Sequence, residues 1–112
     1  MEDNERINVI FNFIKNNFRE QITLEEVSDI ANMTVPSFCR YFKKITNKTF
    51  TQFVNEYRII HSQKLLAEQP MSITEICYES GFNNFSYFNR TFKEYTQKSP
   101  SEYRKEFSNI IS

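Results

Sequence analysis

Phe38-Cys-Arg-Tyr-Phe-Lys43 and Phe88-Asn-Arg-Thr-Phe-Lys93 are two copies of one phrase, fifty residues apart. In each copy the phenylalanines stand four residues apart and so return to one face of a helix. Arg40 falls on Arg90 and Lys43 on Lys93, away from that face. The match runs on downstream, Thr46-Asn-Lys-Thr49 lying on Thr96-Gln-Lys-Ser99 and Phe53 on Tyr103. Upstream the offset becomes 49, pairing Leu24 with Ile73, Val27 with Ile76, and Asn32-Met33 with Gly81-Phe82. Asn and Gly are the residues that best accept the left-handed position after a helix end. Met33 and Phe82 then supply an apolar plug for the angle between two helices. Each copy therefore reads as a short helix, a tight turn and a second helix, a helix-turn-helix unit.

The flanking sequence extends this to an all-α chain of about seven helices, at 5–18, 24–31, 36–45, 50–68, 73–80, 85–95 and 100–107. The first carries Ile7, Ile10, Phe11, Ile14 and Phe18 at amphipathic spacing. Thr23-Leu-Glu-Glu26, Thr49-Phe-Thr-Gln52, Ser72-Ile-Thr-Glu75 and Ser99-Pro-Ser-Glu102 are capping boxes, a hydroxyl answered three residues on by a carboxylate or amide. Pro100 adds a fixed φ at a first helical position. Thr34 or Val35 is expected to open the helix at Pro36, and Asn83 or Asn84 the one at 85. The expected organisation over residues 1–112 is one domain. Its helix-turn-helix units, about 24–45 and 73–95, are joined by a long linker helix at 50–68.

Composition removes several functions. The 112 residues include 12 Phe and 6 Tyr, enough aromatic bulk for a core, but only 1 Gly, so no glycine-rich phosphate cradle is available. One histidine, His61, and two distant cysteines, Cys39 and Cys77, give no expectation of a metal site, a cofactor or a catalytic centre, and the chain is not expected to be an enzyme. No apolar run approaches a membrane span, and the acidic start Met1-Glu-Asp-Asn has no leader-like apolar stretch. The expected setting is cytoplasmic.

Charge balances overall, 14 basic against 14 acidic residues, but not locally. Residues 1–33 carry −4 and residues 53–79 carry −2, whereas 34–52 carry +4 and 80–105 carry +3. Both positive stretches are the second helix of a unit plus its exit. A second helix of this kind enters the major groove of DNA with its leading residues on base edges. With the phenylalanines turned inward, the outward stripe is Pro36, Cys39, Arg40 and Lys43 in one unit. In the other it is Ser86, Asn89, Arg90 and Lys93, with Phe85 and Tyr87 at the leading end. Arginine and asparagine suit guanine and adenine respectively, by paired hydrogen bonds. Lys43, Lys44, Lys48, Lys93 and Lys98 come later and suit phosphate. The helix starts at Thr23 and Ser72 offer amides to phosphate oxygens. A linker of roughly 19 residues at about 1.5 Å each spans about 28 Å, close to the ~34 Å repeat of B-DNA. The expectation is two helices in successive major-groove segments of double-stranded DNA.

The run from Gly81 to Lys93, followed by Ser99-Pro-Ser-Glu-Tyr103-Arg104, strongly resembles the signature of AraC/XylS-type transcription regulators. The stretch from Leu24 to Lys44 is similar to that family's first helix-turn-helix, and Tyr57-Arg-Ile59, Ser62 and Leu65-Leu66 to its linker helix. The resemblance covers about residues 6–107. It implies a bacterial, sequence-specific DNA-binding domain, commonly an activator that also touches RNA polymerase. Its base contacts carry over to Pro36, Cys39, Arg40, Phe85, Ser86, Tyr87 and Arg90. Pro36 and Cys39 depart from the larger or more polar residues usual there, so the second unit is expected to dominate specificity. The chain alone is expected to be a monomer, with a dimer open to a longer parent chain. The competing reading is a helical protein-interaction module with this fold and little DNA affinity.

Overall fold

Hydroxyls and carboxylates punctuate the chain where the sequence places them. The computed structural model describes residues 2–108, which form seven helices and no strand. These are α1 (Asp3–Asn17), α2 (Leu24–Ile30), α3 (Val35–Thr46), α4 (Phe50–Glu68), α5 (Ile73–Glu79), α6 (Phe85–Thr96) and α7 (Pro100–Phe107). Met1 and residues 109–112, included in the expected single domain, lie outside the described residues. Thr23, Ser72 and Ser99 each complete a capping box with the glutamate three residues on. Thr49 does the same with Gln52, whose side chain accepts from the Thr49 amide at 2.9 Å. Thr34 caps α3 and Asn84 caps α6, which settles the two alternatives at each start. Pro36 consequently occupies the second helical position rather than the first.

The chain divides between Val54 and Asn55 into two compact units. The earlier unit buries Ile10 and Ile14 of α1, Val27 of α2, Phe38 and Phe42 of α3, and Phe50 and Val54 at the start of α4. Its rings meet mostly edge to face: Phe42 lies 5.6 Å from Phe50 and 5.2 Å from Phe53 between centroids. This is the geometry that aromatic quadrupoles favour. Phe11 is partly exposed yet stacks on Phe53 at 5.4 Å.

The later unit is built around Ile59, Leu66, Ile76, Cys77, Phe82, Phe88 and Phe92, with Leu65, Met71, Ile73 and Tyr103 against them. Along α4 the positions 55, 59, 62 and 66 are all buried, a stripe at helical spacing that includes Asn55 and Ser62. The guanidinium of Arg104 closes the far end of α4, donating to the carbonyls of Leu66 (3.2 Å) and Gln69 (3.0 Å).

The turn inside each unit is the same object. Met33 N–H bonds the Ser28 carbonyl at 2.9 Å and Phe82 N–H bonds the Cys77 carbonyl at 3.1 Å. Asn32 and Gly81, one residue earlier in each case, have φ of 63° and 98°. That combination is a Schellman ending, which satisfies the last carbonyls of the first helix and sets the direction of the second. A second pair of left-handed residues, Asn47 (φ 62°) and Gln97 (φ 63°), ends α3 and α6, and the sequence reading does not anticipate it. Thr46 and Thr96 hold these exits. Each hydroxyl donates at 2.8 Å to the carbonyl four residues back, and each accepts at 3.2 Å from the amide two residues ahead.

Candidate nucleic-acid interface

In the earlier unit, Phe38 and Phe42 are fully buried, and their burial turns Pro36, Cys39, Arg40, Lys43 and Lys44 outward, all five exposed. No acidic residue stands in the first turn of α3, and Lys43 and Lys44 stand in its last. The Arg40 guanidinium reaches the Ser37 hydroxyl at 3.5 Å, a long and weak contact. Lys43 Nζ lies 3.5 Å from the Asn47 carbonyl and so sits at the helix end. Lys48 is half-buried in the exit turn, where its backbone meets the Thr46 hydroxyl.

In the later unit, Phe88 and Phe92 are buried, and Ser86, Asn89, Arg90 and Lys93 are exposed. Phe85 and Tyr87 show rather more than a third of their surface. Tyr87 is held from three sides. Its hydroxyl accepts a 2.7 Å hydrogen bond from the Asn55 side-chain amide, its ring lies 6.1 Å from that of Phe82, and the Arg90 guanidinium sits 5.5 Å from the ring centroid. Arg58 lies over the Phe82 ring at 5.9 Å, and burial pulls it below the ordinary guanidinium value, an effect that nearby Tyr87 opposes.

Three phosphate candidates, Lys98, Thr23 and Ser72, have partners within the chain. Lys98 pairs with Glu106 at 2.6 Å, and that hydrogen bond raises its pKa. At Thr23 and Ser72 the box already occupies two of the amides that a helix start leaves open. It also sets Glu25 and Glu26, or Glu75, in the first turn, where a carboxylate repels phosphate. At each of these starts the N-cap and N3 amides thus have partners within the helix. Arg104, counted in the positive stretch, is spent on the end of α4. Two residues to which the sequence reading gives no role prove to support the site: Ser37 beside Arg40 and Asn55 beside Tyr87. Asn55 leaves a readable sign, since it is a polar residue on the buried stripe of α4.

The two cysteines part company. Cys39 is exposed on α3, while Cys77 is buried and burial pushes its thiol up to about 11. Among the described residues no cluster of His, Cys, Asp or Glu could hold a metal ion, and no helix is long and apolar enough to cross a membrane.

A helix-turn-helix domain model matches residues 27–106, from the middle of α2 to the last turn of α7. The chain belongs to the AraC-type helix-turn-helix family. This AraC-type chain is 35% identical over 105 residues to YdeC, an uncharacterised helix-turn-helix-type transcriptional regulator of Bacillus subtilis. That match takes in 94% of the chain and 36% of YdeC. AdaA of the same organism, a bifunctional transcriptional activator and DNA repair enzyme, is 31% identical over 94% of the chain and 50% of its own length. The AraC-type chain thus spans about a third to a half of these relatives. Among solved structures, the C-terminal domain of AraT, a response regulator from Geobacillus stearothermophilus, superposes with a TM-score of 0.86. It is 25% identical, over 96% of the chain and 88% of the AraT domain.

Proposed function

We propose that this chain is the sequence-specific DNA-binding domain of a bacterial transcription regulator, with α3 and α6 each entering a segment of the major groove of double-stranded DNA. The observation that carries it is the exposed stripe Ser86, Asn89, Arg90 and Lys93 above buried Phe88 and Phe92, repeated fifty residues earlier in α3. Arg40, Asn89 and Arg90 are the hydrogen-bonding base readers, with Pro36, Cys39, Phe85 and Ser86 as their neighbours on the groove edge. Lys43, Lys44, Lys48 and Lys93 hold phosphate. The chain works by binding and not by catalysis, in the cytoplasm where its DNA is.

AdaA, an activator as well as a repair enzyme, supports an activating role, and contact with RNA polymerase is our proposal for how that role is exercised. The chain binds as a monomer, and dimerisation belongs to sequence outside it wherever a longer parent exists. A salt titration of affinity for a duplex selected from a random pool tests the reading. The logarithm of affinity falls with that of salt, with a slope near −0.9 per phosphate neutralised. Salt-insensitive affinity, or none for any duplex, favours the protein-interaction module instead.

A further inference from the structure

Repeat-related arginines on α3 and α6 are supported in different ways. At the position three residues before Arg40 stands Ser37, and its hydroxyl is 3.5 Å from the guanidinium. At the matching position before Arg90 stands Tyr87, whose ring lies beneath the guanidinium at 5.5 Å. A ring can serve as a shelf only if it does not swing away, and Tyr87 is fixed at both its edge and its face. Asn55 Nδ2 grips the hydroxyl at 2.7 Å, and Phe82 backs the ring. Asn55 is itself 8% exposed on the inward stripe of α4, so the grip comes from the core and not from a surface side chain.

We propose that Asn55 and Tyr87 are positioning residues that aim Arg90 at one base. The inference rests on the DNA-binding reading above and deepens it. A free arginine side chain gives up rotamer freedom when it locks onto a base. A guanidinium already held over a fixed ring has lost part of that freedom before DNA arrives, and the saving appears as affinity for the correct base. In this reading Tyr87 acts through Arg90: its hydroxyl accepts from Asn55, which anchors the ring that supports the guanidinium. Arg40, with only a long contact to Ser37, is less organised, and the later unit discriminates more sharply than the earlier.

The test selects duplexes from a random pool with the unaltered chain, Tyr87→Phe, Asn55→Leu, Arg90→Ala and each of the first two combined with Arg90→Ala. Arg90→Ala flattens preference at one base position. Tyr87→Phe and Asn55→Leu each lower preference at that same position by about threefold or more, and neither changes it further once Arg90 is alanine. Their salt slopes stay unchanged. Should melting show that Asn55→Leu does not fold, Tyr87→Phe carries the test, because it keeps the ring and removes only the grip.

Four outcomes overturn the proposal. In three of them DNA binding stands: unchanged preference in Tyr87→Phe, an equal loss at every position, or a loss confined to a position that Arg90→Ala does not touch. The last of these returns Tyr87 to direct readout. The fourth, failure of the unaltered chain to select any duplex, removes the DNA-binding reading itself.

Discussion

Arg104 of α7 donates from Nε to the carbonyl oxygen of Leu66, thirty-eight residues earlier on α4, and from Nη2 to that of Gln69. The last turn of α4 holds no basic residue of its own, so α7 supplies the cation that the negative end of a helix favours. Arg104→Met keeps much of the aliphatic stem and removes both bonds. It is expected to destabilise the later unit by about 2 kcal/mol, read as a lower urea midpoint at unchanged m. Arg104→Lys should recover only part of this, because an ammonium cannot reproduce the fork.

Phe88 of the later unit and Phe42 of the earlier unit are both fully buried. Truncation to alanine at either site leaves a cavity, at a cost of about 3–5 kcal/mol. Circular dichroism melting of Phe88→Ala and Phe42→Ala should show large losses. Cys39→Ala, at an exposed position on α3, should leave the melt within about 0.5 kcal/mol of the parent.

Arg90 and Lys93 lie one helical turn apart on the exposed face of α6, yet they should fail differently on removal. Arg90→Ala is expected to cost about 1–3 kcal/mol and to relax preference at one base position. Lys93→Ala should weaken all duplexes alike and reduce the salt slope by about 1. Binding to the selected duplex and to a scrambled one, across salt concentrations, separates the two.

Burial of Cys77 makes stability fall with alkali. In the unfolded chain a thiol ionises near about 8.5, whereas the folded thiol holds its proton to about 11. Its contribution is therefore complete below about pH 8.5 and is lost progressively as pH rises towards 11, because only the unfolded state can release the proton. Urea midpoints measured between pH 8 and 10.5 should decline more steeply for the parent than for Cys77→Ala. Native-state alkylation should reach Cys39 and spare Cys77.

Local chemistry was what the sequence displayed best. Capping at Thr23, Ser72 and Ser99, and left-handed turns at Asn32 and Gly81, depend on residues three to five apart, and the structure forms each of them. The inward aromatic pairs followed from helical spacing alone. Gln97 escaped notice because glutamine has no special taste for positive φ; the Thr96 hydroxyl and the Lys93 carbonyl hold it there. Counting bases overstated the field near α6, since Lys98 pairs with Glu106 and Arg104 with backbone carbonyls. Asn55 shows in the sequence only as a polar residue on an apolar stripe; its partner Tyr87 is thirty-two residues away, and only the fold brings the two together.

The threonine latches at 46 and 96 close rings of only a few residues, as do the amide bonds that finish α2 and α5. Bringing such near neighbours together costs little chain entropy, and folds rich in short-range contacts are assembled in microseconds to milliseconds. A domain built on these corners is expected to reach its native form within moments of leaving the ribosome, its folding far quicker than its synthesis.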